Sequence, residues 1–117
     1  MKTLLIAFLL FTINASFAGQ VKVVKVDIQP LGNHQYRFDV TLLHDDQGWD
    51  HYANRWEILD DKGNILATRT LYHPHVNEQP FTRSLSTTLP ENIKNIIIRG
   101  HDNIHQYTGN SLQRTLP

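Results

Sequence analysis

Cysteine is absent from the 117 residues, and the single methionine is Met1. Without cysteine there is no disulfide, no thiol nucleophile, no thiolate-held metal and no attachment point for the lipid of a bacterial lipoprotein. An excess of one charge is lacking too, since eleven Lys and Arg face eleven Asp and Glu. No basic run or stripe breaks that balance, which argues against nucleic acid as a partner. No G-x-S-x-G, H-E-x-x-H, P-loop or dinucleotide fingerprint occurs, so the common enzyme classes have no motif behind them. A hydrolase built on a metal-activated water would need three ligands, an open position and a base, and no enzyme is expected on these grounds. Long apolar stretches are confined to the N-terminus.

That N-terminus reads as an export leader. Met1-Lys2 is a short positive start, Thr3 to Ile13 is almost unbroken apolar sequence, and Ser16 and Ala18 are the small residues a signal peptidase recognises. The expected division is a signal peptide over 1–18 and a single domain over 19–117. The apolar run is short for a bilayer span, so a periplasmic or secreted protein with no membrane anchor after cleavage is expected. A cut before Gly19 also removes Met1 and leaves the domain free of sulfur. Gly19 in place of histidine excludes a copper brace built on an N-terminal histidine. A domain of this size has room for one core, which has to be held by ordinary burial.

What is present is period two. Tyr36, Phe38, Val40 and Leu42 alternate with Gln35, Arg37, Asp39 and Thr41, the pattern of a half-buried strand. Val21 to Ile28 is a β-branched run whose parity slips between Val23 and Val24, as at a bulge. Further strands are expected around Trp56 and Ile58, over Ile65 to Tyr72, Phe81 to Thr88, Ile93 to Arg99 and Ser111 to Leu116. Turns are expected at Pro30–Asn33, Asp60–Asn64 and Leu89–Asn92. About seven short strands at this spacing predict an all-β, immunoglobulin- or fibronectin-like sandwich with Trp56 in its core. A small barrel is the alternative.

Strand alternation then sorts the loops. The connections at His44–Tyr52, His73–Pro80 and Gly100–Asn110 fall at one pole and gather six of the seven histidines, and His34 falls at the other. These are also the longest loops, where function concentrates. His73-Pro74-His75 is the strongest element, because residues two apart on extended backbone share a side and Pro74 biases His73 toward that conformation. Glu78, His51, His101 and His105 are the candidates to complete a donor set of imidazole and carboxylate. Such a set suits Cu(II) or Zn(II), and the lack of sulfur disfavours Cu(I). The plain alternatives are rings stacked on Tyr72 and Phe81, solvated loop histidines, and Arg83–Glu78 or Arg69–Asp102 pairs that fix the loops. Asp102 is expected to anchor its loop by accepting backbone N–H groups. A different use of the same pole is a protein- or glycan-binding surface made by Trp49, Tyr52, Tyr72 and Tyr107, since aromatic rings give large contact area at low entropic cost.

The segments WDHYANRWEILD (Trp49–Asp60) and HPHVNEQPFTRSL (His73–Leu85) resemble the core of a family of small exported bacterial proteins of uncharacterised function. The resemblance covers most of the domain. It implies bacterial export and a compact β domain, and it carries no catalytic role.

Overall fold

Alternation of apolar and polar side chains builds seven strands and no helix among the described residues, which in the computed structural model are 19–117. The leader expected over 1–18 lies outside them. In chain order the strands are β1 (Lys22–Gly32), β2 (Gln35–Leu43), β3 (Ala53–Leu59), β4 (Ile65–Thr70), β5 (Phe81–Thr88), β6 (Asn95–Asp102) and β7 (Ser111–Thr115). They form two antiparallel sheets, one ordered β1-β2-β5 and the other β4-β3-β6-β7. The fold is a β-sandwich. Phe38, Val40 and Leu42 of β2 face Trp56 and Ile58 of β3 and Ile96 and Ile98 of β6, all buried, with Phe81 and Val23 closing the sides. Full burial of each large apolar side chain is worth about 1.5–3 kcal/mol. Trp56 is completely enclosed, as its place in the sequence pattern predicts.

Two expectations about boundaries shift for identifiable reasons. The first turn is not Pro30–Asn33, because β1 continues to Gly32 and the chain reverses through Asn33 and His34, with φ of 53° and 61°. A two-residue hairpin needs both central residues left-handed so that its twist matches the strands. The last long connection is shorter than Gly100–Asn110, because β6 stays paired until Asp102 lies opposite Ala53. The expected slip in β1 is present as a register shift between Val23 and Lys25.

The poles sort as alternation requires. At one end Leu89 donates its N–H to His34 O at 2.9 Å, joining the two short turns. At the other end the three long connections meet. His44 donates its N–H to Gln79 Oε1 at 2.9 Å, and Asn103 Oδ1 accepts the Tyr52 N–H at 2.9 Å. The start of the described chain also comes to this end. Gly100 and Gly109 make that possible, since a Cβ at 100 would lie 2.3 Å from Val21 Cγ1 and one at 109 only 1.8 Å from Val21 O.

Candidate metal centre

Two inward-facing tracks end in polar residues. On β2 the buried positions Phe38, Val40 and Leu42 are followed at the same parity by His44 and Asp46, both buried. On β6 the buried run Ile96, Ile98, Gly100 ends in Asp102, which is wholly enclosed. The pleat that points these strands' apolar side chains into the core therefore drives one imidazole and two carboxylates into the top of it. His51 reaches the same point from the 44–52 loop, which is folded back by Gly48 at φ 104° and by the His51 N–H to Gly48 O bond of 3.2 Å.

The result is a chain of short polar contacts. His44 Nδ1 lies within hydrogen-bonding distance of Asp46 Oδ1, and His44 Nε2 is 3.0 Å from Asp102 Oδ2. His51 Nε2 is 3.5 Å from that same Asp102 oxygen. The carbonyl oxygen of Gly19 sits between the two rings, 3.0 Å from His44 Nε2 and 3.1 Å from His51 Nε2. Donor atoms of His44, His51 and Asp102 all fall within 4.8 Å of one another, close enough that the three could hold one metal ion.

Each member is held from behind. Asp46 Oδ1 accepts the Ala53 N–H at 3.0 Å and Oδ2 accepts the His75 N–H at 2.7 Å. Asp102 Oδ1 accepts the N–H groups of Ile104 (2.9 Å), His105 and Gln106 (3.2 Å), the loop-anchoring role expected of it. That leaves Asp102 Oδ2 free to face the rings. Burial alone would push both carboxyls up, but for Asp46 the bonds from His44, His75 and Ala53 outweigh it and hold the group below the ordinary carboxylate range. For Asp102 the N–H groups of His105 and Ile104 and the His44 ring do the same. Burial likewise opposes charge on His44, yet its contacts with Asp46 and Asp102 prevail and raise its pKa. The two carboxylates thus favour the charged form of the ring that lies between them.

The other histidines named from the sequence lie around this centre. His105 borders it, with its ring 5.0 Å from that of His51. His75 supplies its backbone N–H to Asp46, while its ring stacks flat on Phe81 at 4.1 Å and 10°. Both His75 ring nitrogens are buried with no hydrogen-bond partner, and burial followed by the charge of Arg83 pushes its pKa down. His73 packs against His75, with ring centroids 4.7 Å apart. Glu78 is taken by Arg83 at 3.0 Å, the pairing expected from sequence. Arg69 does not meet Asp102 and donates instead to Ser84 O at 2.9 Å. His101 turns to the outer face of β6, where Nδ1 lies 2.6 Å from Asn54 Oδ1 and the ring meets Tyr107 edge-on. His51 is therefore the one named residue in the convergent donor set, beside His44 and Asp102.

The chain is 40% identical over 93 residues to a protein of Halomicrobium mukohataei named "Putative lipoprotein". The aligned region is 80% of this chain and 46% of that protein, so the chain spans about half the length of the relative it matches. No family model matches the sequence. No solved structure matches it either.

Of the aromatic residues at this pole, Trp49 and Tyr72 are largely exposed, at 65% and 73%. Trp49 meets Tyr52 edge-on at 5.6 Å. Tyr107 differs, because its hydroxyl bonds Arg55 at 2.6 Å and Glu57 at 3.2 Å, and Arg99 covers its ring at 3.8 Å. A cleft of about 350 Å³ lined by Gly19, Gln20, Lys22, Leu43, His44 and Gln79 adjoins the centre. A larger depression of about 470 Å³ lies against β6 and β7 around Ile96 and Arg114, with no histidine in its walls.

Proposed function

We propose that this is an exported domain that binds a divalent transition metal, Zn(II) or Cu(II), through His44 Nε2, His51 Nε2 and Asp102 Oδ2, with Gly19 O as an oxygen donor beside them. The observation that carries this reading is the spacing of the donors. A tetrahedral ion with bonds of about 2.0–2.1 Å has ligand atoms about 3.3 Å apart. Four of the contacts among these donors measure 3.0, 3.0, 3.1 and 3.5 Å. Asp46 supports the same assignment: placed on the far nitrogen of His44, it orients the ring and raises its basicity, as carboxylates behind metal-bound histidines do. Charge supports it as well. Two fully buried carboxylates face one imidazole ring, and a dication bound there would balance both. No sulfur donor is available beyond Met1, which favours Zn(II) or Cu(II) over Cu(I). Export is supported by the leader pattern over 1–18 and by the lipoprotein name of the Halomicrobium relative.

The test is metal content and competition titration on untagged, chelator-stripped protein at pH 7.5. One ion per chain is expected, with binding lost in His44→Ala and His51→Ala and retained in the His73→Ala/His75→Ala double variant. Retained binding in the first two and loss in the last would move the centre to the His73-Pro74-His75 segment. No binding by the wild type would end the metal assignment. A second use of the pole, docking of a protein or glycan, is favoured by the exposure of Trp49 and Tyr72. Trp49→Ala and Tyr72→Ala would weaken capture of such a ligand and leave metal affinity unchanged.

A further inference from the structure

We infer that Gly19 is itself a chelating ligand, and that removal of the leader completes the centre by freeing its α-amine to hold the same ion as its carbonyl oxygen. This rests on the metal assignment above and adds to it a donor made by processing.

The carbonyl oxygen of Gly19 lies 3.0 Å from His44 Nε2 and 3.1 Å from His51 Nε2, so the main chain of residue 19 is already one wall of the site. Its side-chain position is closed. At φ 92°, a Cβ would lie 2.7 Å from His105 Nε2 and 3.0 Å from His51 Cε1, so glycine is required both by conformation and by space. Chain ends ordinarily fray unless tied down. Here Asn110 grips Val23 from both sides, with Oδ1 accepting the Val23 N–H at 2.7 Å and Nδ2 donating to Val23 O at 3.1 Å. Val21 is enclosed beneath Gly100 and Gly109. The segment from 19 to 23 is thus fixed against the histidines before any ion arrives.

The sequence places the small residues Ser16 and Ala18 three positions and one position before Gly19. In the uncut chain the Gly19 nitrogen belongs to an amide, and its delocalised lone pair makes it a poor donor. After the cut it is a primary amine. The amine nitrogen and carbonyl oxygen of one glycine close a five-membered ring around an ion. The ion would then be held by three nitrogens and two oxygens: His44, His51, Asp102, and both ends of Gly19.

The experiment uses the full chain expressed with its leader and purified from the exported fraction. Three forms are compared: the wild type, the wild type acetylated selectively at its α-amine, and a variant with two serines inserted between Ala18 and Gly19. The insertion keeps Gly19 and its carbonyl but moves the amine away. Mass spectrometry is expected to place the wild-type terminus at Gly19. Zn(II) competition is expected to show the free-amine form binding about 100-fold tighter than either blocked form, since tethering a donor to a bound partner raises affinity by that order. Cu(II) paramagnetic resonance is expected to show three coordinating nitrogens in the wild type and two in the blocked forms. A terminus elsewhere, or equal affinities with equal nitrogen counts, overturns the inference while leaving the metal centre standing. Absence of metal binding in all three forms overturns both. Equal metal-free melting curves for the wild type and its acetylated form establish that a difference in affinity is not a difference in folding.

Discussion

Asp46 gives the most demanding test of the site's construction, because its two oxygens do different jobs. Oδ1 accepts from Ala53 N–H and faces His44 Nδ1, and Oδ2 accepts from His75 N–H, all in full burial. Asp46→Ala strands two backbone donors and the His44 ring, whose charged form the carboxylate favours. A buried donor left unpaired costs about 1–3 kcal/mol, and breaking a buried ion pair from one side costs about 3–5 kcal/mol. The contacts share one carboxylate and do not add fully, so a loss of about 4 kcal/mol is expected. For a domain of this length that corresponds to a fall in melting temperature of about 15–30 °C. Asp46→Asn is the sharper variant. It is nearly isosteric, but it offers one acceptor and one NH₂ where two N–H groups point inward, so a donor must face a donor. It is expected to lose about 3 kcal/mol or more, almost as much as alanine. The assay is urea denaturation in chelator at pH 7, with an unchanged slope showing that only stability has moved. If Asp46→Asn came within about 1 kcal/mol of wild type, the carboxylate would not be clamping both loops and the description of the centre would fail.

Stability of the metal-free protein is expected to peak near pH 6.5. His44 has a raised pKa, so its contribution is complete below the unfolded value of about 6.5 and is lost as pH climbs through the folded one. His75 and His101 have lowered values, mainly through burial, so they favour the neutral form and destabilise the fold as pH falls below about 6.5. Asp46 and Asp102, both depressed, hold their contribution above about pH 3.9 and lose it only in stronger acid. Urea midpoints rising steadily from pH 6 to 8.5 would contradict this ordering. Zn(II) at 100 times its dissociation constant is expected to stabilise the wild type by about 2.7 kcal/mol, or roughly ten degrees or more of melting temperature, and chelator should reverse the shift. Gly109→Ala forces a methyl toward Val21 O and is expected to weaken metal affinity together with stability. Gly100→Ala meets side chains alone, Val21 closely and Leu42 at 3.6 Å, and should cost about 1–3 kcal/mol with a smaller effect on the metal, both read by the same titrations.

The fold was legible because its signal is repetitive. Alternation over Tyr36–Leu42, the β-branched run at Ile96–Ile98 and the turn residues at Asp60–Asn64 each act locally, and Asp60 Oδ1 does cap the N–H groups of Lys62 and Asn64 at 2.9 and 2.8 Å. The pole was legible for the same reason, since antiparallel pairing fixes which loops share an end. The buried cluster was less so. His73-Pro74-His75 stands out as a string, yet its rings stack on each other and on Phe81 and its acid is claimed by Arg83. Both contacts are among the plain alternatives the sequence offers, but no local rule chooses between them and a donor set, because Phe81 and Arg83 belong to the next strand. His44 and Asp102 do carry a local signal. Continuing the inward parity of β2 and β6 past their last apolar residues lands on His44, Asp46 and Asp102, and a polar group at a core-facing position is more informative than a dense cluster in a loop.

That parity also bears on why the centre exists. Replacing a buried ion pair or triad by apolar residues of similar volume is often neutral or stabilising by about 1–4 kcal/mol, so an Asp–His–Asp chain is a poor device for stability alone. Domains of this size rest on a margin of about 5–15 kcal/mol, of which such a network forgoes a sizeable part. The same end of the sandwich spends further conformational freedom on Gly19 at φ 92° and leaves both nitrogens of His75 without partners. Buried polar groups gather here, whereas the opposite pole confines its departures to the left-handed Asn33 and His34 of an exposed hairpin turn. Concentrated departures of this kind are what a site built for a ligand requires, since groups poised to bind have to be left incompletely satisfied by the protein itself. On the proposed reading, a dication held at His44, with Asp46 behind the ring and Asp102 beside it, would account for the buried carboxylates, the fixed glycine and the convergence of three loops by one physical cause.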